Sequence, residues 1–293
     1  MKFEKPPFSP DQHIALLQNR DLKIDDKEKA KYYLHNIGYY RLSAYFIPFR
    51  KTEPVDIEHQ FKEDITFQNI LDLYIFDRQL RLILYDALER IEVAVRTQIT
   101  NCLSLNHGTH WFENSSLFNS PLDHAQIIVK FARDVGHNNG GRQSSEAIRH
   151  YYKKYKEPQL PPTWMVMEEL SIGTLSRLFK FLKNEEKKDI ANHFSVSCDV
   201  LENWLHSLTV LRNTCAHHSR TWNRTFPSVK IPRKGPNLGI VRENKLQGQI
   251  CVMKHMMNLI AGDTSWHDRL IAHIKTCPIP YEKDMGFIKQ NKP

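Results

Sequence analysis

The feature that most constrains the fold is a run from Phe67 to Leu105 that contains neither glycine nor proline. Its apolar residues recur at alternating intervals of three and four, which is the spacing of one helix face. They are Leu73, Phe76, Leu80, Ile83, Ala87, Ile91 and Ala94. A helix of this length would extend for more than ~50 Å, so other elements have to cover its apolar face. The run predicts one long core helix, unless it bends or breaks.

The polar side of this helix is rich in charge. It carries Asp77, Arg78, Arg81, Glu89, Arg90, Glu92 and Arg96. Glu92 and Arg96 are four residues apart and can form an ion pair on the helix surface, where such a pair contributes ~1 kcal/mol or less. The alternative is that both side chains face the segment rich in arginine and histidine described below, and support its chemistry.

The remaining signals are also helical, and we predict an all-α protein. Residues 1–62 form a small N-terminal helical unit, residues 63–275 a helical bundle with a mid-chain insertion at residues 106–162, and residues 276–293 a loose tail. Further helices are predicted by apolar spacing and by capping residues. They lie at Trp164–Leu182, from about Val200 with Asp199 as the N-cap, at Lys245–Ile260 and at Ser265–Ile274.

An aromatic segment at residues 39–50 contains two arginines, Arg41 and Arg50. Aromatic rings interleaved with arginine can stack on bases and hold phosphates. The same composition is also typical of a hydrophobic seam between two helical units, and we favour the seam.

Composition and charge narrow the class of protein. No run approaches the ~18 apolar residues of a membrane helix, and five widely spaced cysteines without a C-x-x-C pair favour reduced thiols in the cytoplasm. The net charge of +8 is unevenly placed. After residue 218 there are 13 Lys and Arg against 5 Asp and Glu, whereas 28 of each precede it. The excess is what a site for a polyanion would show, although a basic tail can also serve solubility alone.

The boundary between these two parts is the segment Leu208–Arg224, L-T-V-L-R-N-T-C-A-H-H-S-R-T-W-N-R. Leu208, Leu211 and Cys215 continue the apolar face of a helix that should end near His218. Asn213 and His217 are four residues apart, so one lies above the other on that helix. Neutral histidine can accept a proton from a ribose 2′-OH, its protonated form can donate to the leaving 5′-oxygen, and a guanidinium can stabilise the phosphate.

Other interpretations of these residues stay open from spacing alone. Arg212 and His217 can cap the helix and pair with acids such as Glu92. A nucleophilic Cys215 is disfavoured, because it lies on the apolar face. A zinc site formed by Cys215, His217 and His218 lacks a fourth ligand at a suitable spacing, so no metal is predicted.

Four blocks, taken in order, resemble the Abi (AbiD/AbiF-like) abortive-infection proteins of bacteria. They are Y-Y-R-L-S-A-Y-F-I-P-F-R, F-D-R-Q-L-R-L-I-L-Y-D-A-L-E-R-I-E-V-A-V-R, W-M-V-M-E-E-L-S-I-G-T-L-S and L-R-N-T-C-A-H-H-S-R-T-W-N-R. The resemblance spans nearly the whole chain, from about Lys5 to about Asn223. That family is similar to the HEPN superfamily of all-helical domains, whose last core helix carries an Arg, four to six residues, then a His.

The resemblance implies a HEPN-like bundle and a metal-independent endoribonuclease that serves phage defence without a cofactor. Arg212, Asn213 and His217 match its motif; His218 also fits the spacing, and Glu92 and Arg96 are possible supporting residues. HEPN sites commonly combine two domains, so a single motif implies a homodimer. The predicted RNA-binding residues are Arg220, Asn223, Arg224, Lys230, Arg233 and Lys234. The alternative is a non-catalytic RNA-binding or interaction module, held by a cognate RNA or protein.

Overall fold

The structure is a computed structural model that describes residues 6–51, 59–139, 144–234, 237–262 and 265–288. These ranges hold α-helices, short 3-10 turns and isolated β-bridges, but no strand, so the predicted all-α class is confirmed. The helices are α1 (Pro10–Gln18), α2 (Lys27–Asn36), α3 (Tyr39–Ser43), α4 (Phe67–His107), α5 (Pro121–Asp134), α6 (Glu146–Lys154), α7 (Thr163–Val166), α8 (Ile172–Phe181), α9 (Asn184–His193), α10 (Cys198–Ala216), α11 (Leu246–Ala261), α12 (Trp266–Ile274) and α13 (Glu282–Met285).

Helix α4 is the predicted long helix, and it runs for 41 residues without a break. Thr66 and Asn69 form a reciprocal cap at its start, since each side chain accepts the other's backbone N–H. The helix ends at Gly108, whose φ of 88° lies in the left-handed region that glycine adopts without strain. Helices α8 to α12 pack along it. The apolar face of α4 is therefore the centre of the core.

The polar side of α4 differs from the prediction. Asp77 is fully buried and Arg81 is 5% exposed, although both were expected on the surface. They are buried because they pair with each other and with the backbone that follows α10. Charged residues are rarely buried without such partners.

The predicted helix Trp164–Leu182 is wrong as a single element. It is divided into α7, a 3-10 turn and α8, and Leu170 between them is extended with φ −91° and ψ 140°. Ser171 then caps α8 by accepting the N–H of Thr174, and the carboxylate of Glu92 accepts the N–H of Ile172. Two oxygen acceptors thus satisfy the free amides of a helix start at this point.

Two helix ends of α10 also differ from the prediction. The helix begins at Cys198 with Ser197 in the N-cap position, so Asp199 lies in the first turn and is not the cap. It ends at Ala216, and His217 is the C-cap residue. Helix α10 packs directly against α4 in the core.

The aromatic segment at residues 39–50 is mainly a seam. Tyr45, Phe46 and Phe49 are buried, and they pack in the same apolar cluster as α4. Tyr40, in contrast, is almost fully exposed. Near the C-terminus Met285 in α13 is also fully buried. The predicted domain boundaries stay predictions. None of the described helices is long and apolar enough to cross a membrane.

Candidate active site

The end of α10 presents three of the predicted catalytic groups. The backbone N–H of His217 donates to the carbonyl of Asn213 at 2.9 Å, which closes the last turn. His218 then adopts a left-handed φ of 56°, and the chain leaves the helix axis. Asn213, His217 and His218 are exposed. The two imidazoles form no hydrogen bond or ion pair with any residue that the structure describes. Both rings are therefore open to a ligand.

Arg212 is held between Asn213 and Glu92. Its Nη1 donates to Oδ1 of Asn213 at 3.4 Å, and its Nε lies 3.5 Å from Oε2 of Glu92. The guanidinium therefore joins Asn213 to the core side of the helix. Half-buried arginine in this geometry keeps donors available for a further acceptor, because a guanidinium has five N–H groups.

Glu92 is the centre of the supporting contacts. It is 12% exposed, and it accepts from Nη2 of Arg96 at 3.3 Å as well as from the N–H of Ile172 at 3.1 Å. Arg96 also donates to the carbonyl of Leu170 at 3.0 Å. Glu92 thus faces Arg212 rather than solvent, and Arg96 is held against Glu92, Glu168 and Leu170. The contact between Arg212 and Glu92 is also the one that the capping and pairing interpretation requires, whereas His217 has no such acid partner among the described residues.

Replacing Glu92 by glutamine should lower the free energy of unfolding by about 1–3 kcal/mol, because Arg212 loses its counter-ion at a nearly buried position and Arg96 keeps only Glu168. Urea unfolding followed by circular dichroism measures this change. Glu89→Gln removes an exposed carboxylate from the same helix and should change it by less than ~0.5 kcal/mol. Equal midpoints for the two variants would contradict the supporting role of Glu92.

A second cluster, which the sequence did not reveal, positions the segment after His218. Asp77 accepts four hydrogen bonds: from the Tyr45 hydroxyl at 2.6 Å, from Nη1 of Arg81 at 2.5 Å, and from the N–H groups of Thr221 at 3.0 Å and Trp222 at 2.8 Å. Every one of these groups is buried. We call Tyr45, Asp77 and Arg81 the carboxylate anchor.

Further contacts extend the anchor to the histidines. Arg81 donates to the carbonyl of Ser219 at 3.4 Å, and Arg41 donates to the carbonyl of His218 at 2.6 Å. Arg41 of the N-terminal unit and Arg81 of α4 therefore fix the backbone on the C-terminal side of the candidate site. The anchor positions the site without presenting a group to it.

The charge state of the anchor follows from its hydrogen bonds. Burial raises the pKa of the Asp77 carboxyl, while Arg81, Tyr45 and the two backbone N–H groups oppose that shift. Burial lowers the pKa of Arg81, but Asp77, Tyr45 and Tyr74 together outweigh burial, and the net direction is upward. The raised pKa of Asp77 favours a protonated carboxyl, whereas the raised pKa of Arg81 implies an ionised one. Four donors, one of them a guanidinium, favour the ionised Asp77.

The predicted RNA-binding residues fall into two groups. Arg220, Asn223 and Arg224 follow the histidines directly. The Arg220 guanidinium lies 6.0 Å from the Trp222 ring centre, burial lowers its pKa, and its Nη1 is buried without a hydrogen bond. Asn223 accepts from Nζ of Lys245 at 3.0 Å. Arg220 and Asn223 are therefore partly committed to internal contacts.

The second group lies at the opposite end of α10. Arg233 and Lys234 border a pocket with Ser197 and Val200, and Nζ of Lys230 pairs with Asp199 at 3.2 Å. The start of α10 is on the order of 28 Å from His217 along the helix axis. The structure therefore does not gather the six residues around the histidines.

The Cys215 thiol and the grouping of possible metal ligands bear on the cysteine and zinc interpretations. Burial raises the pKa of the Cys215 thiol to about 12, as expected for a residue on the apolar face of α10. Among the described residues, no three His, Cys, Asp or Glu side chains are grouped so that they could hold a metal ion.

Fold and site together define an all-helical protein in which a core helix ends in Arg-Asn, three residues and an exposed His. The family model described as Abi-like protein matches residues 32–223, and the chain belongs to this family. The matched region contains α4, α10, the carboxylate anchor and the candidate site. Membership suggests a role in abortive infection, that is, in phage defence. No curated protein and no solved structure matches the chain.

Proposed function

We propose that the protein is a metal-independent endoribonuclease of the HEPN type, acting in a bacterial abortive-infection system. The observation that carries the proposal is the exposed His217, one helical turn beyond Asn213, whose amide oxygen accepts from the guanidinium of Arg212. No hydrogen bond or ion pair of the His217 ring with a described residue explains its position. Its neighbours are the groups that a phosphodiester transition state needs.

The reaction follows from these groups. Neutral His217 accepts the proton of a ribose 2′-OH, and the 2′-oxygen attacks the adjacent phosphorus. The bond from phosphorus to the 5′-oxygen breaks, and the leaving oxygen takes a proton from a protonated imidazole. The products are a 2′,3′-cyclic phosphate and a 5′-hydroxyl end. Arg212 stabilises the non-bridging oxygens, and Asn213 positions the phosphate or the imidazole.

One copy of the chain supplies one Arg–His set, and proton removal and donation are most direct with two imidazoles. We therefore propose a homodimer in which the exposed ends of two α10 helices face each other. The exposure of Asn213, His217 and His218 supports this arrangement, because a second copy can reach all three. His218 is then a second candidate for the proton donor.

The second candidate function is a non-catalytic RNA-binding or interaction module, held by a cognate RNA or protein. The observation that favours it is the ion pair between Arg212 and Glu92, which gives the arginine a purely structural role. Such a module would bind RNA in a salt-dependent manner, without turnover and as a monomer.

The decisive experiment is incubation of the purified protein with single-stranded RNA in the presence of EDTA. We expect cleavage to continue, and the products to carry 2′,3′-cyclic phosphate and 5′-hydroxyl ends. An RNA with 2′-O-methyl groups throughout should resist cleavage, because its nucleophile is blocked. Loss of activity in EDTA, or equal cleavage of the methylated RNA, would overturn the mechanism. Light scattering on the same sample tests for the dimer.

A further inference from the structure

A groove of about 830 Å³ lies between α5, α8 and α10, and one end of it reaches the candidate active site. On α10 it is lined at intervals of three and four residues, so it follows a single helix face over about 21 Å. The lining begins at Asp199 and ends at Asn213. Asn213 belongs to the candidate site, and its side chain donates no hydrogen bond to a described residue. We call this feature the α8–α10 groove.

The floor of the groove consists of small side chains. A Cβ atom on Gly173 would lie 3.3 Å from Cγ2 of Thr209, so α8 and α10 approach closely at this point. Thr174 and Ser176 also line the groove and are nearly buried. Longer side chains on α5 and α8 stand at its rim, which makes the groove a recess rather than a flat surface.

The charge of the groove is positive once its ion pairs are taken into account. Its two acids are neutralised, because Asp199 pairs with Lys230 at 3.2 Å and Glu202 pairs with Lys187 at 3.0 Å. The side chains of Arg177 and Lys180, three residues apart on α8, are exposed and pair with no residue that the structure describes.

A third cation stands on the facing helix. Arg133 of α5 also lines the groove, is 72% exposed, and is only loosely paired with Asp134 at 3.9 Å. Exposed cations on facing walls of a recess attract an anionic chain.

Two rings add a second kind of contact. Phe181 is half-buried at the groove, and the imidazole of His206 is exposed in it, midway along α10. Bases stack on such rings irrespective of sequence, and a positively charged recess with stacking platforms is the pattern of single-strand binding. A duplex has its bases paired and could not use them.

We infer that single-stranded RNA binds along the α8–α10 groove, with Arg177, Lys180 and Arg133 contacting its phosphates. The bound RNA extends past Asn213 to His217, so the groove directs the substrate to the candidate active site. The inference rests on the proposed function for the position of cleavage, but the binding itself does not depend on catalysis. None of these three cations belongs to the six RNA-binding residues predicted from the sequence.

The test compares RNA affinity in full-length protein that carries His217→Ala, so that the probe stays intact. Arg177→Ala with Lys180→Ala should weaken binding of a fluorescent single-stranded RNA about 25-fold at ~0.1 M salt, since each phosphate contact contributes ~0.7 to the salt slope. The slope itself should fall by about 1.4. Lys153→Ala with Lys188→Ala removes the same charge from exposed positions outside the groove, and should leave both values nearly unchanged.

The outcomes separate the groove from the proposed function. If the groove variant binds RNA as tightly as the control, the inference is wrong, even if wild type cleaves RNA; a protein partner would then be the better occupant. If wild type does not cleave but the groove variant still loses affinity, the groove stands and the endoribonuclease falls. Equal dependence on Arg177 and Lys180 for a duplex of the same sequence would overturn the single-strand assignment.

Discussion

Asp77→Asn should lower the free energy of unfolding by about 3–5 kcal/mol, because it leaves the buried guanidinium of Arg81 without a counter-ion. The amide of asparagine can still accept one or two hydrogen bonds, but four donors converge on the carboxylate. Its NH₂ group would instead oppose one of them. Chemical denaturation followed by tryptophan fluorescence measures the loss, since Trp222 lies within the affected segment.

The matched control is Asp72→Asn on the same helix, whose exposed carboxylate accepts, among the described residues, a hydrogen bond from Gln68 alone. It should change stability by less than ~0.5 kcal/mol. Arg81→Met and the double variant complete a cycle, in which the double change should cost less than the two single changes together. A value for Asp77→Asn within 1 kcal/mol of the control would show that the anchor is not a buried ion pair.

The helices of the core were predictable because their apolar spacing is a local property. The apolar run along α4 predicts a long helix, and the residues that cap it lie next to the run in the sequence. The break at Leu170 was missed because no proline marks it, although Ser171 is a typical N-cap residue and Gly173 is unfavourable inside a helix. What stabilises the start of α8 is the carboxylate of Glu92, which lies 80 residues earlier in the chain.

Burial of charge was the main limit of the sequence analysis. Asp77 and Arg81 share the side of α4 that carries the other charges, so spacing alone assigns them to solvent. Two of the donors to Asp77 are backbone N–H groups more than 140 residues away, and main-chain donors leave no sequence signal. The predicted seam at residues 39–50 was the one sequence feature that pointed to the buried cluster, since it contains Tyr45.

The basic residues show that closeness in the sequence did not predict closeness in the fold. Charge excess after residue 218 was read as one surface, but the irregular segment after Arg224 runs back along α10 to its N-terminal end. Lys230, Arg233 and Lys234 are therefore far from the histidines. Arg177 and Lys180 lie in a charge-neutral part of the chain, and only the packing of α8 on α10 places them along the groove that reaches Asn213.

His217→Ala should reduce RNA cleavage by about 10²–10⁴-fold, the usual contribution of a group that transfers a proton in the transition state. The side chain is exposed and unpaired among the described residues, so the fold should not change and thermal unfolding should match wild type. Single-turnover cleavage of a labelled RNA measures the effect. Arg212→Ala should cause a comparable loss, but it also removes the ion pair with Glu92 and must be corrected for stability.

His218→Ala separates the two imidazoles. Asn213 and His217 are one turn apart, whereas His218 lies beyond the helix in a left-handed conformation, with its carbonyl bound by Arg41. We therefore expect His218→Ala to retain most of the cleavage if His217 acts as the base, and His150→Ala on α6 to retain all of it. If His217→Ala cleaves RNA at the wild-type rate, the exposed histidine is not the catalytic base. The assignment of the site to His217 is then wrong. Salt-dependent RNA binding without cleavage by wild type or variant would instead favour the non-catalytic module.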